Sequence, residues 1–185
     1  MSKKIVILNG SPRRNGNTAS LCGTFTEGAT SSGHTVSQFQ LQQMNIRGCL
    51  GCMKGGKVLA SPCVKKDDME KIYPAYIEAD ILVLASPMYF WSFSSQLKAA
   101  FDRLFAVAET NSEYRSPKKD CILLMAAVDD SPGNWKPVLD YYHTLIGQLG
   151  WIDRGMVLAG GVMRIGDIKG HPSLDAARKL GASLC

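Results

Sequence analysis

The chain has 185 residues, 45% of them hydrophobic and 20% charged, with a formal net charge of +5. That length and composition fit a single globular domain over residues 1–185. With neither an apolar signal-type segment behind Met1-Ser2-Lys3-Lys4 nor an apolar run of spanning length, the expectation is a soluble, cytoplasmic protein whose dispersed charge calls for neither nucleic acid nor membrane as partner.

The apolar run at residues 4–8 predicts a first strand, and residues 17–31 a helix. Between them lies Asn9-Gly10-Ser11-Pro12-Arg13-Arg14-Asn15-Gly16-Asn17-Thr18, a polar turn with two hydroxyls, two carboxamides beyond Asn9 and two guanidinium groups. An oxyanion there meets unpaired N–H groups and the positive end of a helix dipole. The spacing excludes a P-loop, because Gly10 and Gly16 enclose one residue too many and no lysine follows. G-x-G-x-x-G is also missing, so a monophosphate is the expected anion. An ordinary strand-to-helix turn with an asparagine cap is the plainer alternative.

Residues 35–41 predict a second strand, and Asp67-Asp68-Met69-Glu70 opens a helix with acidic residues at its positive end. Residues 80–85 form a continuous apolar run expected as a strand buried on both faces. A helix capped by Ser94 or Ser95 is expected to run to Ala108, followed by a strand at 120–128, a helix at 134–149, a strand at 154–159 and a helix at 173–184. Five strands alternating with five helices predict an α/β three-layer sandwich around a parallel sheet in the flavodoxin-like order 2-1-3-4-5. Ligands of such sheets bind at the switch point between strands 1 and 3, which brings 9–18 together with 86–95. The second of these loops, Ser86-Pro87-Met88-Tyr89-Phe90-Trp91-Ser92-Phe93-Ser94, is rich in aromatic residues and suits a planar heterocycle; packing over the sheet end is the alternative. A monophosphate beside a planar ring points to flavin mononucleotide (FMN).

The six cysteines, Cys22, Cys49, Cys52, Cys63, Cys121 and Cys185, are too scattered for a disulfide framework and are expected to be reduced. Cys22 and Cys121 fall in apolar elements, where cysteine packs as a small hydrophobe.

The G-S-P-R-x-N-G-N-T opening, G-C-x-G-C at 48–52, S-P-x-Y-F-x-S-x-S-x-Q-L-K-A-x-x-D-R at 86–103 and G-D-I-x-G-H-P at 166–172 together resemble the flavodoxin-like NADPH-dependent FMN reductase family, in the branch that includes iron–sulfur flavoproteins. The resemblance implies that Ser11, Arg13, Asn15, Asn17 and Thr18 bind the FMN phosphate. It places Pro87, Met88, Tyr89, Phe90 and Trp91 around the ribityl chain and ring, with a third contact at Ala127, Val128 and Asp129. Implied with it are NAD(P)H as co-substrate, hydride transfer to a quinone, flavin, nitro or azo acceptor by a ping-pong sequence, and a homodimer or homotetramer. No side chain is required as a catalytic acid or base; His143 and His171 are expected to be structural or surface residues. Trp91, Phe93, Tyr114 and Trp135 are candidates for a subunit interface. An electron carrier that binds FMN and docks a protein partner is the competing reading. The iron–sulfur relatives resemble C-x2-C-x2-C with a fourth cysteine, and Gly55 stands here at the third position. Three thiols fall one short of a cluster or a zinc site, which leaves Cys49 and Cys52 as a redox pair or, by preference, a vestige of a lost site.

Overall fold

The computed structural model describes residues 1–56 and 58–184, so Cys185 lies outside the described residues. Strands β1 (Lys4–Asn9), β2 (Thr35–Gln40), β3 (Ile81–Pro87), β4 (Asp120–Ala126) and β5 (Ile152–Ala159) pair in parallel in the order β2-β1-β3-β4-β5. Helices α1 (Asn17–Ser31), α2 (Met69–Glu78), α3 (Ser95–Arg103), α4 (Phe105–Ala108), α5 (Pro132–Leu149) and α6 (Pro172–Ala182) cover both faces, as the flavodoxin-like order requires. Among the described residues no helix is long and apolar enough to cross a membrane.

Strand alternation divides the core in two. Ile5, Ile7, Val83, Ile122 and Leu124 pack with Leu21 and Phe25 of α1 and Ala177 of α6. Val6, Leu8, Leu82, Leu84, Leu123 and Met125 pack with Met69, Ile72 and Tyr73 of α2, Leu97 of α3, and Val138 and Tyr142 of α5. β3 and β4, in the middle of the sheet, are buried almost throughout, whereas Thr35, Ser37 and Gln38 of the edge strand β2 face solvent. Helices α1 and α6 touch backbone to backbone: a Cβ on Gly28 would stand 2.0 Å from the Arg178 carbonyl oxygen.

Beyond shifts of a residue or two at element ends, two elements differ from expectation in their internal geometry. The helix expected up to Ala108 divides at Leu104, whose N–H donates to Phe101 O (3.0 Å) while Val107 N–H donates to Leu104 O (2.9 Å). These three-residue steps tighten the turn and separate α4 from α3. β5 begins at Ile152, ahead of the expected Arg154, and carries a bulge opposite Cys121 and Leu123 where Gly155 has φ +127°. Its polar opening is paired across elements, Asp153 accepting from Tyr142 Oη (3.0 Å) and Arg154 meeting Asp120 (2.7 Å).

Trp135 and Phe93 are buried core residues, so neither can serve a subunit interface; the Phe93 ring packs edge-on against Tyr141 with centroids 5.3 Å apart. Trp91 and Tyr114 remain exposed.

Candidate functional site

The carboxyl ends of β1 and β3 meet where Gly10 N–H donates to Ala85 O (2.8 Å). From there Asn9 Oδ1 accepts the Ser11 N–H (3.0 Å), the Ser11 hydroxyl accepts the Arg13 N–H (3.2 Å), and Gly16 N–H closes the turn on Arg13 O (3.1 Å). The turn delivers the chain into α1, whose first N–H groups have no carbonyl behind them in the helix. Gly10 must be glycine for a steric reason: a Cβ there would stand 2.5 Å from Ser94 Oγ and 2.7 Å from Leu97 Cβ. Ser94 accordingly ties three elements, its Oγ donating to Gly10 O (2.7 Å) and capping Leu97 N–H (3.3 Å) while its N–H donates to Ser86 Oγ (2.8 Å).

Ser11, Arg13, Gly16, Asn17 and Thr18 line one side of a cleft of about 190 Å³; Pro87, Met88 and Tyr89, then Ala126, Ala127 and Val128, then Val162 and Met163 line the rest. A second concavity of about 310 Å³ shares Met88, Tyr89 and Val128 with it and continues over Phe90, Trp91, Asp129 and Asn134. The two form a polar end and an apolar shelf. Of the residues expected to bind, Asn15 alone lies outside both; its side chain is exposed.

Sequence reasoning missed the wall after β5. Asp167 accepts the N–H groups of Met163 (2.9 Å) and Arg164 (2.6 Å), and these bonds, Arg164 first, hold its carboxyl below the usual carboxylate range. The folded-back loop turns its carbonyls to the first loop: Met163 O accepts from Arg13 Nη1 (2.6 Å) and Arg164 O from Asn17 Nδ2 (3.0 Å). Among the described residues Asn17 Oδ1 and Asn9 Nδ2 find no partner, unspent buried polar atoms at the strand end and helix start that build the cleft. The G-D-I-x-G-H-P stretch was the available signal. Gly166 (φ +95°) and Gly170 (φ +72°) make its turns, and His171 caps α6 by accepting the Ser173 N–H (3.2 Å).

The aromatic loop is a two-residue reversal. Tyr89 N–H donates to Ser92 O (3.1 Å) and Ser92 N–H to Tyr89 O (3.0 Å), with Phe90 at φ +47° and Trp91 at φ +56°. Such a turn favours Asn-Gly; two bulky aromatics in the left-handed region store strain. Trp91 is anchored through Nε1 to Asn134 Oδ1 (2.6 Å), whereas Phe90 is 93% exposed and buries too little to repay its backbone. Phe90→Gly is therefore expected to raise the unfolding free energy of the flavin-free protein by about 1 kcal/mol, read from the urea midpoint. An unchanged midpoint would mean that the turn carries no strain.

The chain is 26% identical over 181 residues to an iron–sulfur flavoprotein of Archaeoglobus fulgidus, covering 98% of this chain and 78% of that protein. It is 32% identical over 108 residues to the iron–sulfur flavoprotein of Methanosarcina thermophila, spanning 56% of its length. Its fold superposes on an NAD(P)H:quinone oxidoreductase from Methanothermobacter marburgensis with a TM-score of 0.75 at 22% identity, over 98% of this chain and 96% of that one. Residues 3–141 match the model of the NADPH-dependent FMN reductases, and the chain belongs to that family.

Proposed function

We propose that the protein takes hydride from NAD(P)H and passes it to a small electron acceptor, a quinone, flavin, nitro or azo compound, in a ping-pong sequence, with FMN held across the cleft and shelf. The supporting observation is the junction of an anion-binding turn with a strained aromatic shelf at the switch point between β1 and β3. Bound FMN supplies the redox chemistry by accepting and releasing hydride.

The residues supply binding, orientation and access. Ser11, Thr18, Arg13 and the first N–H groups of α1 would hold the phosphate, and the orphaned Asn17 Oδ1 offers an acceptor for a hydroxyl of the ribityl chain. Pro87, Met88 and Tyr89 would border the chain and ring on one side, and Val128 and Asp129 on the other. The N–H groups of Tyr89 and Ser92 are spent on the turn itself, which leaves those of Phe90 and Trp91 for the carbonyl edge of the ring. The histidines are engaged elsewhere: His34 between Lys3 N–H (3.1 Å) and Leu184 O (3.0 Å), His143 beside Asp153, and His171 as a cap. Exposed Phe90, Val128 and Met163 around the mouth suit coverage by a second subunit, in a homodimer or homotetramer.

The test is reconstitution with FMN followed by anaerobic addition of NADH or NADPH. Bleaching of the bound flavin, then recovery of colour on adding a quinone, is the expected result. Bound flavin that neither nicotinamide bleaches would transfer the protein to the electron-carrier reading, and failure to bind FMN would overturn both.

A further inference from the structure

The long connection from β2 to α2 brings Cys49, Cys52 and Cys63 to one small pocket closed by Arg103, Phe105 and Glu109. The iron–sulfur flavoproteins to which the chain is similar imply a cluster here, and the residues do not fit one held by four cysteines. The third position is Gly55, where a Cβ would stand 2.3 Å from Glu109 Oε2 and 2.9 Å from Pro62 O. Among the described residues no group of three His, Cys, Asp or Glu side chains is placed to hold a metal ion.

What the pocket does contain is an exposed thiol three residues from a half-buried one. Gly51, at φ +61°, reverses the chain between Cys49 and Cys52, and its N–H donates to Cys49 Sγ (3.4 Å). The Lys65 ammonium donates to Gly48 O (2.7 Å), which brings a positive charge to the peptide next to Cys49. Buried Arg103 donates to Arg47 O (2.9 Å) before the loop and to Asp67 (2.7 Å) after it, so both stems are pinned while Cys49 is exposed and Cys52 half-buried between them. Cys22 and Cys121 are different: burial pushes each of their thiols up to about 12, and neither is accessible.

We propose that Cys49 and Cys52 form a dithiol centre that reduces small organic disulfides. The Cys49 thiolate attacks one sulfur of R–S–S–R, forming a Cys49–S–S–R bond and releasing one thiolate. Cys52 then attacks Cys49 Sγ, breaking that mixed disulfide, releasing the second thiolate and leaving a Cys49–Cys52 bond. The two protons of the protein thiols convert the released thiolates to two R–SH, so the protein loses two electrons and the substrate gains them. Excess monothiol reverses the sequence. The cycle does not depend on bound flavin. Cys63, half-buried like Cys52, lies against the Tyr73 hydroxyl and takes no part.

The experiment exposes the full-length protein, as purified, to glutathione disulfide without oxygen, followed by acid quench, alkylation and peptide mass mapping. The expected outcome is loss of two thiols per chain with a Cys49–Cys52 linkage. Cys52→Ser should stop with one glutathionyl group on Cys49, Cys49→Ser should form neither adduct nor linkage, and Cys63→Ser should behave as the parent. Unchanged thiols in the parent, a linkage that includes Cys63, or an adduct on Cys63 in the Cys52→Ser protein would overturn the proposal.

Discussion

Arg103→Met is expected to lower the unfolding free energy by about 3–5 kcal/mol, because it leaves a carboxylate buried without its counter-ion. The Arg103 and Asp67 side chains are 1% and 4% exposed and meet in a two-pronged contact, Nη1 to Oδ2 at 2.7 Å and Nη2 to Oδ1 at 3.1 Å. Arg103 also donates to Arg47 O and Lys65 O, so the loss reaches the cysteine loop at both stems. Urea unfolding of the flavin-free variant at neutral pH gives the magnitude. The double variant Arg103→Met/Asp67→Leu should recover a large part of the loss, since an apolar pair of similar volume avoids the stranded charge; no recovery would place the effect in packing. The acid limb supplies an independent check. Burial pushes the Asp67 carboxyl up, but Arg103 and the N–H groups of Met69 and Arg47 together hold it below its ordinary value. A depressed folded-state value stabilises the protein above the unfolded value and loses that contribution as pH falls through the folded one. The advantage of the parent over Asp67→Asn should therefore be full at neutral pH and shrink below about pH 4.

The sheet was legible because its signals are local. Apolar runs at β1, β3 and β4 need no partner to be recognised, and the polar turn after β1 announces both a helix start and one wall of the cleft. What escaped depends on contacts made across the molecule. Ile152 and Asp153 fell outside the expected strand, since the partner of Asp153, Tyr142, belongs to another element. Phe93 and Trp91 stand two residues apart in one aromatic loop, yet one packs on Tyr141 in the core and the other faces solvent; no periodicity distinguishes them. The wall at Val162 and Met163 is set by Asp167 through backbone bonds, and its sequence mark carried no indication of which loop it faces. Cysteine spacing gave a missing ligand at Gly55 but not its consequence, which is that Glu109 fills the space.

The second large effect is expected at the polar end of the cleft, where Thr18→Val and Arg13→Ala should each weaken FMN binding about 10- to 100-fold, the equivalent of one hydrogen bond to a charged group. Thr18 is buried in the first turn of α1, and its hydroxyl makes no bond to another described residue, so valine keeps its shape and removes only a donor. Arg13 is less clean, because its guanidinium also holds Met163 O at 2.6 Å and its removal releases the wall after β5. Comparison of flavins separates the two roles. Riboflavin lacks the phosphate, so Thr18→Val should leave riboflavin affinity unchanged while lowering that for FMN, collapsing the preference of the parent for the phosphorylated flavin. Arg13→Ala should weaken both, FMN more, and its loss for FMN should diminish at high salt as the missing charge comes to matter less. Flavin fluorescence quenching measures all of these affinities, in the parent and in both variants. Equal losses for the two flavins in Thr18→Val would remove the phosphate from this turn and with it the assignment of the cleft's polar end.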